Sequence, residues 1–289
     1  MKERQFELRC KDGSRRYAAE WEPDERRDLR GVIALVHGMG EHIGRYRHVA
    51  EMFTHAGYAV FGFDQAGHGM TEGKRGHTKS YEALLDGVGA MLAEAEKRYP
   101  GTPLFLYGHS MGGNVTLNYV LRRKPDITGV IVTGPWLRLA FNPPPLQLII
   151  ARIVNRLFPA YTNDRPMVGD HLTSDPEMIR RYQEDPLGHG SITARFFLSV
   201  QAAGLWAIKH ASEWRAPLLL MHGGTDKVTS ILASKQFADA VGSRCTFMEW
   251  PGLKHELHNE LDREEVFDVM RDWLEERLED NRRNAGTAR

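Results

Sequence analysis

The sequence predicts an α/β protein with a mostly parallel central sheet, flanking helices and one helical insertion. Apolar runs without polar alternation, such as 31–36 and 58–63, are typical of strands covered on both faces. Helical segments alternate with these runs in the first half of the chain, an order that favours parallel strands with right-handed crossovers. A proline-rich stretch without evident strands, 136–206, interrupts this alternation.

The first predicted element is an antiparallel hairpin at the edge of the sheet. Residues 6–10 and 15–21 flank the pair Asp12-Gly13, which is a hairpin turn signal. A charged connector, 23–30, then leads into the strand 31–36. The loop that leaves this strand, His37-Gly38-Met39-Gly40, lies at a carboxyl end, where open α/β sheets place their sites.

The following elements repeat the order of strand and helix. Before the insertion we expect helices at 46–56, 80–99 and 114–123 and strands at 58–63, 103–107 and 128–133. After it we expect strands at 217–221 and 244–250, a helix at 230–240, and a last helix that ends near 279 before a frayed polar tail.

This order predicts one core, formed by 1–135 and 207–289, and a helical cap, 136–206, above the carboxyl edge of the sheet. One cap helix has an apolar face, made of Leu146, Ile149, Ile150, Ile153, Val154 and Leu157. That face either packs on the core or belongs to a lid that meets acyl chains or makes transient contact with a membrane surface. The sequence leaves both interpretations open.

Composition excludes several classes of partner. Lys plus Arg equals Asp plus Glu, 38 against 38, so no global field attracts nucleic acid and none is expected as a partner.

The N-terminal residues lack the apolar core of a signal peptide, and no apolar stretch reaches the roughly 18 residues of a membrane span. We therefore expect a cytoplasmic protein.

The candidate nucleophile is Ser110, in the segment Gly108-His109-Ser110-Met111-Gly112-Gly113 between a predicted strand and a predicted helix. In so tight a turn the residues two before and two after the serine lie against each other, and only glycine fits there. The helix N-terminus offers free N–H groups to an oxyanion. The arrangement suits acyl transfer, although an ordinary serine in a glycine-rich turn has the same pattern.

A serine hydroxyl needs a base, and that base needs an acid to orient it. In this strand order the acid and the histidine follow the serine, each at a strand end, and Asp226 and His255 meet that order. His258 is the rival base. The other carboxylates are placed less well, because one precedes the nucleophile and the rest lie within the cap: Asp64, Asp164, Asp170 and Asp175.

The oxyanion of the transition state requires two backbone donors. We expect them to be the N–H groups of Met111, which follows the nucleophile, and of Met39 in the loop after the strand 31–36. Several histidines invite a metal interpretation, but no H-E-x-x-H or paired Cys/His spacing supports one. We expect no metal and no cofactor.

With these residues in place, the chain resembles the monoacylglycerol lipase and lysophospholipase group of α/β-hydrolases. The segments that match this group begin at His37-Gly38-Met39-Gly40-Glu41-His42-Ile43-Gly44-Arg45-Tyr46 and continue with Asp64-Gln65-Ala66-Gly67-His68-Gly69, the Ser110 segment, Gly223-Gly224-Thr225-Asp226, and Lys254-His255-Glu256-Leu257-His258-Asn259-Glu260. In the cap the match is limited to places such as Asp185-Pro186-Leu187.

The resemblance implies an α/β-hydrolase fold and a cofactor-independent serine hydrolase that cleaves monoacylglycerol or a similar small lipid ester through an acyl-enzyme. Candidate substrate contacts are Arg45, His109, Ile149 and Ile153. Arg45 either reaches a glycerol hydroxyl, braces the oxyanion loop or forms a surface salt bridge. The alternative functions are a lysophospholipase, a broad carboxylesterase, an aminopeptidase with acidic residues for a free amine, and a ligand-binding protein without turnover.

Overall fold

The computed structural model describes residues 1–24, 29–164 and 168–287, with side chains described through residue 283. Parts of the charged connector and of the predicted cap, 25–28 and 165–167, lie outside the described residues, as do 288 and 289. The predicted hairpin is confirmed: β1 (Lys2–Arg9) pairs antiparallel with β2 (Arg15–Glu22).

Six further strands complete the main sheet: β3 (Gly31–Val36), β4 (Tyr58–Phe63), β5 (Leu104–His109), β6 (Gly129–Thr133), β9 (Leu218–Gly223) and β10 (Cys245–Trp250). Their order is β1-β2-β4-β3-β5-β6-β9-β10. From β4 to β10 all neighbours are parallel, whereas β2 joins β4 antiparallel. The predicted α/β class with a mostly parallel sheet is confirmed.

The central strands are buried on both faces, which explains their continuous apolar runs. Every residue of β3, β4, β5, β6 and β9 is buried. Neighbouring residues point to opposite faces, so that Val32 and Ala34 join one core cluster while Ile33 and Leu35 join the other. Two apolar layers therefore hold the sheet, one on each face.

Five helices accompany these strands: α1 (Arg47–His55), α2 (Tyr81–Arg98), α3 (Met111–Arg123), α7 (Ile231–Val241) and α8 (Arg263–Thr287). The prediction that the last helix ends near residue 279 is wrong, because α8 continues to Thr287. Helical i,i+4 and i,i+3 ion pairs of Arg283 with Glu279 and Asp280 lie across the predicted end and favour its continuation.

The segment between β6 and β9 contains α4 (Pro145–Leu157), α5 (Pro176–Glu184) and α6 (Ala194–Lys209). It also contains two strands that the sequence did not indicate, β7 (Thr162–Asp164) and β8 (Ser191–Thr193), which pair antiparallel. Each has only three residues, too few for an alternating pattern. Of the three helices, α6 packs into the core through Phe196 and Val200.

Helix α4 is attached differently from α6, since none of its residues is buried. Five of the six side chains of its predicted apolar face are exposed, including Leu146 (66%), Ile153 (54%) and Leu157 (62%), and the sixth, Val154, is half-buried. The interpretation that this apolar face packs on the core is therefore wrong. No described helix is both long and apolar enough to cross a membrane.

Candidate active site

Ser110 occupies the turn between β5 and α3 in a strained conformation, with φ 54° and ψ −116°. A Cβ at Gly108 would lie 2.6 Å from the Gly112 carbonyl oxygen, and one at Gly112 would lie 2.0 Å from the Val36 carbonyl oxygen. The predicted steric need for glycine on both sides of the serine is thus confirmed.

Asp226 and His255 are joined by a hydrogen bond of 2.7 Å between Asp226 Oδ2 and His255 Nδ1. Both side chains are buried, with 0% and 1% of their surface exposed. Asp226 lies in the loop after β9, and His255 follows β10. The sheet therefore brings together two residues that are 29 positions apart.

Asp226 has further partners that sequence reasoning missed. The N–H groups of Val228 and Thr229 donate to Oδ1 at 2.7 and 3.0 Å, and the Thr229 hydroxyl lies 2.8 Å from Oδ2. His222 Nε2 lies 3.1 Å from the same Oδ2. The one indication of these partners in the sequence was their short distance along the chain: His222 lies four residues before Asp226, and Thr229 lies three residues after it.

These contacts set the protonation states of the pair. Burial acts to raise the pKa of Asp226, but the charge of His255 and hydrogen bonds from His222 and His255 outweigh it and hold that pKa far below its ordinary range. Burial acts to lower the pKa of His255, but the charge and hydrogen bond of Asp226 prevail and raise it. Asp226 is therefore an anion that stabilises the imidazolium form of His255.

Ser110 and His255 both adjoin the backbone at Thr133 and Gly134. The Ser110 N–H donates to the Thr133 carbonyl at 3.0 Å. A Cβ at Gly134, where φ is +49°, would lie 3.2 Å from His255 Nδ1, so this position requires glycine. His255 Nε2 is buried and has no hydrogen-bond partner among the described residues, which leaves it available to another group.

The two predicted oxyanion donors lie in segments that adjoin Ser110, one in α3 and one in a loop. Met111 is the first residue of α3, whose first amides have no partner within the helix. The loop that carries Met39 leaves β3, and a Cβ at the preceding Gly38 would lie 3.3 Å from Ser110 Cβ. In the same loop, the carbonyl of Gly40, the residue after Met39, accepts a hydrogen bond from the His189 N–H at 2.8 Å.

The rival residues have other partners. The fully buried His258 stacks on Tyr46, with ring centroids 4.8 Å apart, and its Nδ1 faces the Tyr107 hydroxyl. Asp64 accepts hydrogen bonds from the amides of Ile43 and Met70, so it braces its loop. Asp175 caps α5.

A cavity of about 290 Å³ opens at Ser110. Among the described residues the lining is mainly apolar, with His171, His189 and Lys227 as its basic groups, and includes Met39, Ser110, Trp136, Leu139, Phe141, Val168, Ile192 and Val228. Leu139, Phe141 and Ile192 also line a second cavity of about 490 Å³, which extends along α4. The two cavities therefore adjoin.

None of the four predicted substrate contacts belongs to the lining of the Ser110 cavity. Arg45 is engaged by the carboxylates of Glu41 and Glu256. The buried His109 pairs through Nδ1 with the Thr133 hydroxyl at 3.0 Å. Ile149 and Ile153 are about half exposed on α4. The apolar side chains that do line the cavity come from irregular segments or, for Ile192, from the three-residue β8, where periodicity gives no signal.

Comparison with known proteins relates the chain to one family. The family model Hydrolase_4: Serine aminopeptidase, S33 matches residues 27–262. The chain is 31% identical over 256 residues to the monoacylglycerol lipase of Mycolicibacterium smegmatis, covering 88% of this chain and 90% of that protein. It is 32% identical over 248 residues to phospholipase YtpA of Bacillus subtilis, covering 85% and 95%.

The chain is also similar to two further proteins, and it covers very different shares of their lengths. An uncharacterized abhydrolase domain-containing protein of Dictyostelium discoideum is 34% identical over 251 residues, 86% of this chain, but the chain spans only 26% of that protein's length. The crystal structure of the monoacylglycerol lipase from Paleococcus ferrophilus is similar with a TM-score of 0.82 and 32% identity. That match covers 91% of this chain and 99% of the other.

The contact between Gly112 and β3 leads to a stability prediction. Gly112→Ala places a methyl group against the Val36 and His37 carbonyl oxygens. We expect it to lower the free energy of unfolding by about 1–3 kcal/mol, as overpacking does. Urea unfolding followed by circular dichroism measures the change.

The matched control is Gly89→Ala in α2, where the nearest atom to a new Cβ is the Tyr119 hydroxyl at 3.2 Å. Because alanine is the better helix former, this variant should be as stable as the parent or gain up to about 1 kcal/mol. Equal stability of the Gly112→Ala variant and the parent would contradict the steric account.

Proposed function

The chain belongs to the serine aminopeptidase S33 (Hydrolase_4) family, and from this we propose that it is a serine ester hydrolase that cleaves monoacylglycerol or a similar single-chain acyl ester to a fatty acid and an alcohol. Its similarity to two proteins named monoacylglycerol lipase supports this choice of substrate class. The observation that carries the proposal is the buried Asp226–His255 pair beside the strained Ser110: the Nε2 of His255 has no partner among the described residues, and both His255 and Ser110 adjoin the backbone at Thr133 and Gly134.

In the proposed reaction, Ser110 Oγ gives its proton to His255 Nε2 and attacks the ester carbonyl carbon. The carbonyl oxygen becomes an oxyanion that accepts hydrogen bonds from the Met39 and Met111 amides. The intermediate collapses, the C–O bond breaks, and His255 returns the proton to the leaving alcohol. Water then hydrolyses the acyl-enzyme by the same steps, with Asp226 ionised throughout.

The lining of the Ser110 cavity supports an acyl substrate over a peptide. An aminopeptidase needs carboxylates to hold a free amine, but the charged and titratable groups in the described part of the lining are Lys227, His171 and His189. Apolar side chains and the adjoining cavity along α4 suit a hydrocarbon chain. Lys227 and the similarity to phospholipase YtpA keep a lysophospholipid as the second candidate substrate.

We also propose that residues 136–206 act as a cap on a core formed by 1–135 and 207–289, and that the cap meets membrane surfaces transiently through α4. The support is the exposed apolar face of α4, flanked by Arg152 and Arg156. Apolar side chains beside basic groups are typical of helices that lie in a lipid interface. The face also borders the cavity that adjoins the Ser110 cavity.

The first test replaces the nucleophile. Ser110→Ala should lower kcat by about 10⁶-fold, because no other group supplies the attacking oxygen, while circular dichroism stays unchanged. Initial rates with p-nitrophenyl butyrate, monoolein and lysophosphatidylcholine measure the loss, and competition between the two lipids ranks the substrates. A variant that keeps most of its ester hydrolysis would refute the proposed nucleophile.

The second test uses pH. Protonated His255 accepts no proton, so kcat/KM should fall as pH decreases through a pKa above the ordinary 6.5 of histidine. Asp226→Asn removes the anion that raises this pKa and fixes the tautomer. We expect a loss of about 10⁴-fold in kcat and an acid limb at lower pH, measured between about pH 5 and pH 9. An acid limb that does not move would contradict the assignment of Asp226.

The third test concerns the membrane. Leu146→Gln combined with Leu157→Gln should weaken binding to phosphatidylcholine vesicles at least about tenfold, because two exposed apolar side chains lose their burial in lipid. Sedimentation with vesicles measures binding. Hydrolysis of soluble p-nitrophenyl butyrate should not change. The control is Leu232→Gln on α7, since Leu232 is 73% exposed but lies outside α4. Equal loss in both variants would refute a role of α4.

A further inference from the structure

A buried chain of three charged side chains, Glu41, Arg45 and Glu256, lies beside the candidate active site; we call it the arginine clamp. Arg45 donates to both carboxylate oxygens of Glu256 at 3.1 and 3.0 Å and to Glu41 Oε2 at 3.1 Å. The three side chains are 10%, 3% and 4% exposed for Arg45, Glu256 and Glu41. The planar guanidinium thus joins two carboxylates with its two terminal nitrogens.

One end of the arginine clamp holds the loop that carries Met39. Glu41 Oε1 accepts the Gly38 N–H at 2.5 Å and the Tyr46 hydroxyl at 2.6 Å. Gly38 immediately precedes Met39, so the bond to its N–H limits rotation of the peptide that leads to the Met39 amide. The orientation of that amide therefore depends on where the Glu41 carboxylate is held.

The other end holds the loop that carries His255. Glu256 is the next residue in the chain, and its Oε2 also accepts the Asn259 side-chain amide at 2.6 Å. The Glu256 N–H donates to the Leu172 carbonyl at 2.7 Å. Glu256 is thereby fixed through both its side chain and its backbone, and the backbone of His255 is fixed with it.

The ion pairs of Arg45 serve to place the two loops rather than to add to the free energy of unfolding. Burial acts to raise the pKa of Glu256, but the charge of Arg45 holds it at about 2, so this carboxylate is ionised. Buried ion pairs add little net stability, because desolvation offsets their attraction, but they specify one geometry. Burial raises the pKa of Glu41, but its Oε2 still accepts a hydrogen bond from Arg45. The Arg45 guanidinium, bonded to the carboxyl groups of two different loops, therefore fixes the distance between those loops.

We propose that Arg45 is a positioning residue, which through Glu41 and Glu256 keeps the loop of the Met39 amide in register with the loop of His255. The inference rests on the proposed function, because it assigns the two loops to the oxyanion and to the base. Arg45 does not belong to the lining of the Ser110 cavity. Arg45 therefore acts on the transition state, in which the Met39 amide must bind the oxyanion while His255 holds the proton.

The test measures kcat and KM separately. Arg45→Met should lower kcat for p-nitrophenyl butyrate by about 10²-fold, the effect of a misplacement of about 1 Å, while KM changes little. Arg45→Lys should recover part of the loss, since a lysine supplies the charge but not the fork. The matched control is Arg47→Met two residues on, where Arg47 is 63% exposed and pairs with Glu3; its kcat should equal that of the parent.

A double-mutant cycle of Glu41→Gln and Glu256→Gln decides the outcome even where Arg45→Met fails to fold. If both carboxylates act through one arginine, the double variant should lose no more kcat than the worse single variant. Effects that multiply, or variants that keep the parental kcat, would overturn the proposal. Failure of the proposed function is distinct, because it would leave Ser110→Ala active.

Discussion

The close approach of the Ser110 turn to the end of β3 is the constraint on which the site depends. A serine at φ 54° is held in a conformation that is unfavourable by about 1–3 kcal/mol for a residue with a side chain. The surrounding bonds maintain it, since the Ser110 N–H donates to Thr133 and the Ser110 carbonyl accepts from Trp136. Gly112 lets α3 begin against the Val36 carbonyl, which brings the loop of Met39 to Ser110.

A second constraint is the burial of charge. A carboxylate without partners would bind a proton in the interior, but Asp226 accepts two backbone N–H groups and lies within bonding distance of Thr229, His222 and His255. It therefore remains an anion without solvent. Its field also explains why the fully buried His255 has a raised pKa, whereas burial lowers the pKa of its neighbour His109 to about 3.

The sequence predicted the sheet, its flanking helices and the placement of Ser110 because continuous apolar runs and glycine spacing report directly on buried strands and tight turns. It did not predict β7 and β8, which are too short for a pattern, or the lining of the cavity. The pairing of Arg45 with Glu256 was also out of reach, since the two residues lie 211 positions apart in the chain. Pairings of this kind depend on how loops meet, which no local pattern records.

In the segment between β6 and β9, hydrogen bonds attach the residues next to α5 to the loops of the candidate active site, whereas α4 is attached less firmly. Residues next to α5 are tied to the loop of His255 through the bond from Glu256 to Leu172, and to the loop of Met39 through the bond from His189 to Gly40. By contrast, α4 has no buried residue and exposes its apolar face. Because local opening is least costly where few apolar contacts are buried, we expect α4 to open more readily than the described residues beside α5, which are bonded to the two loops.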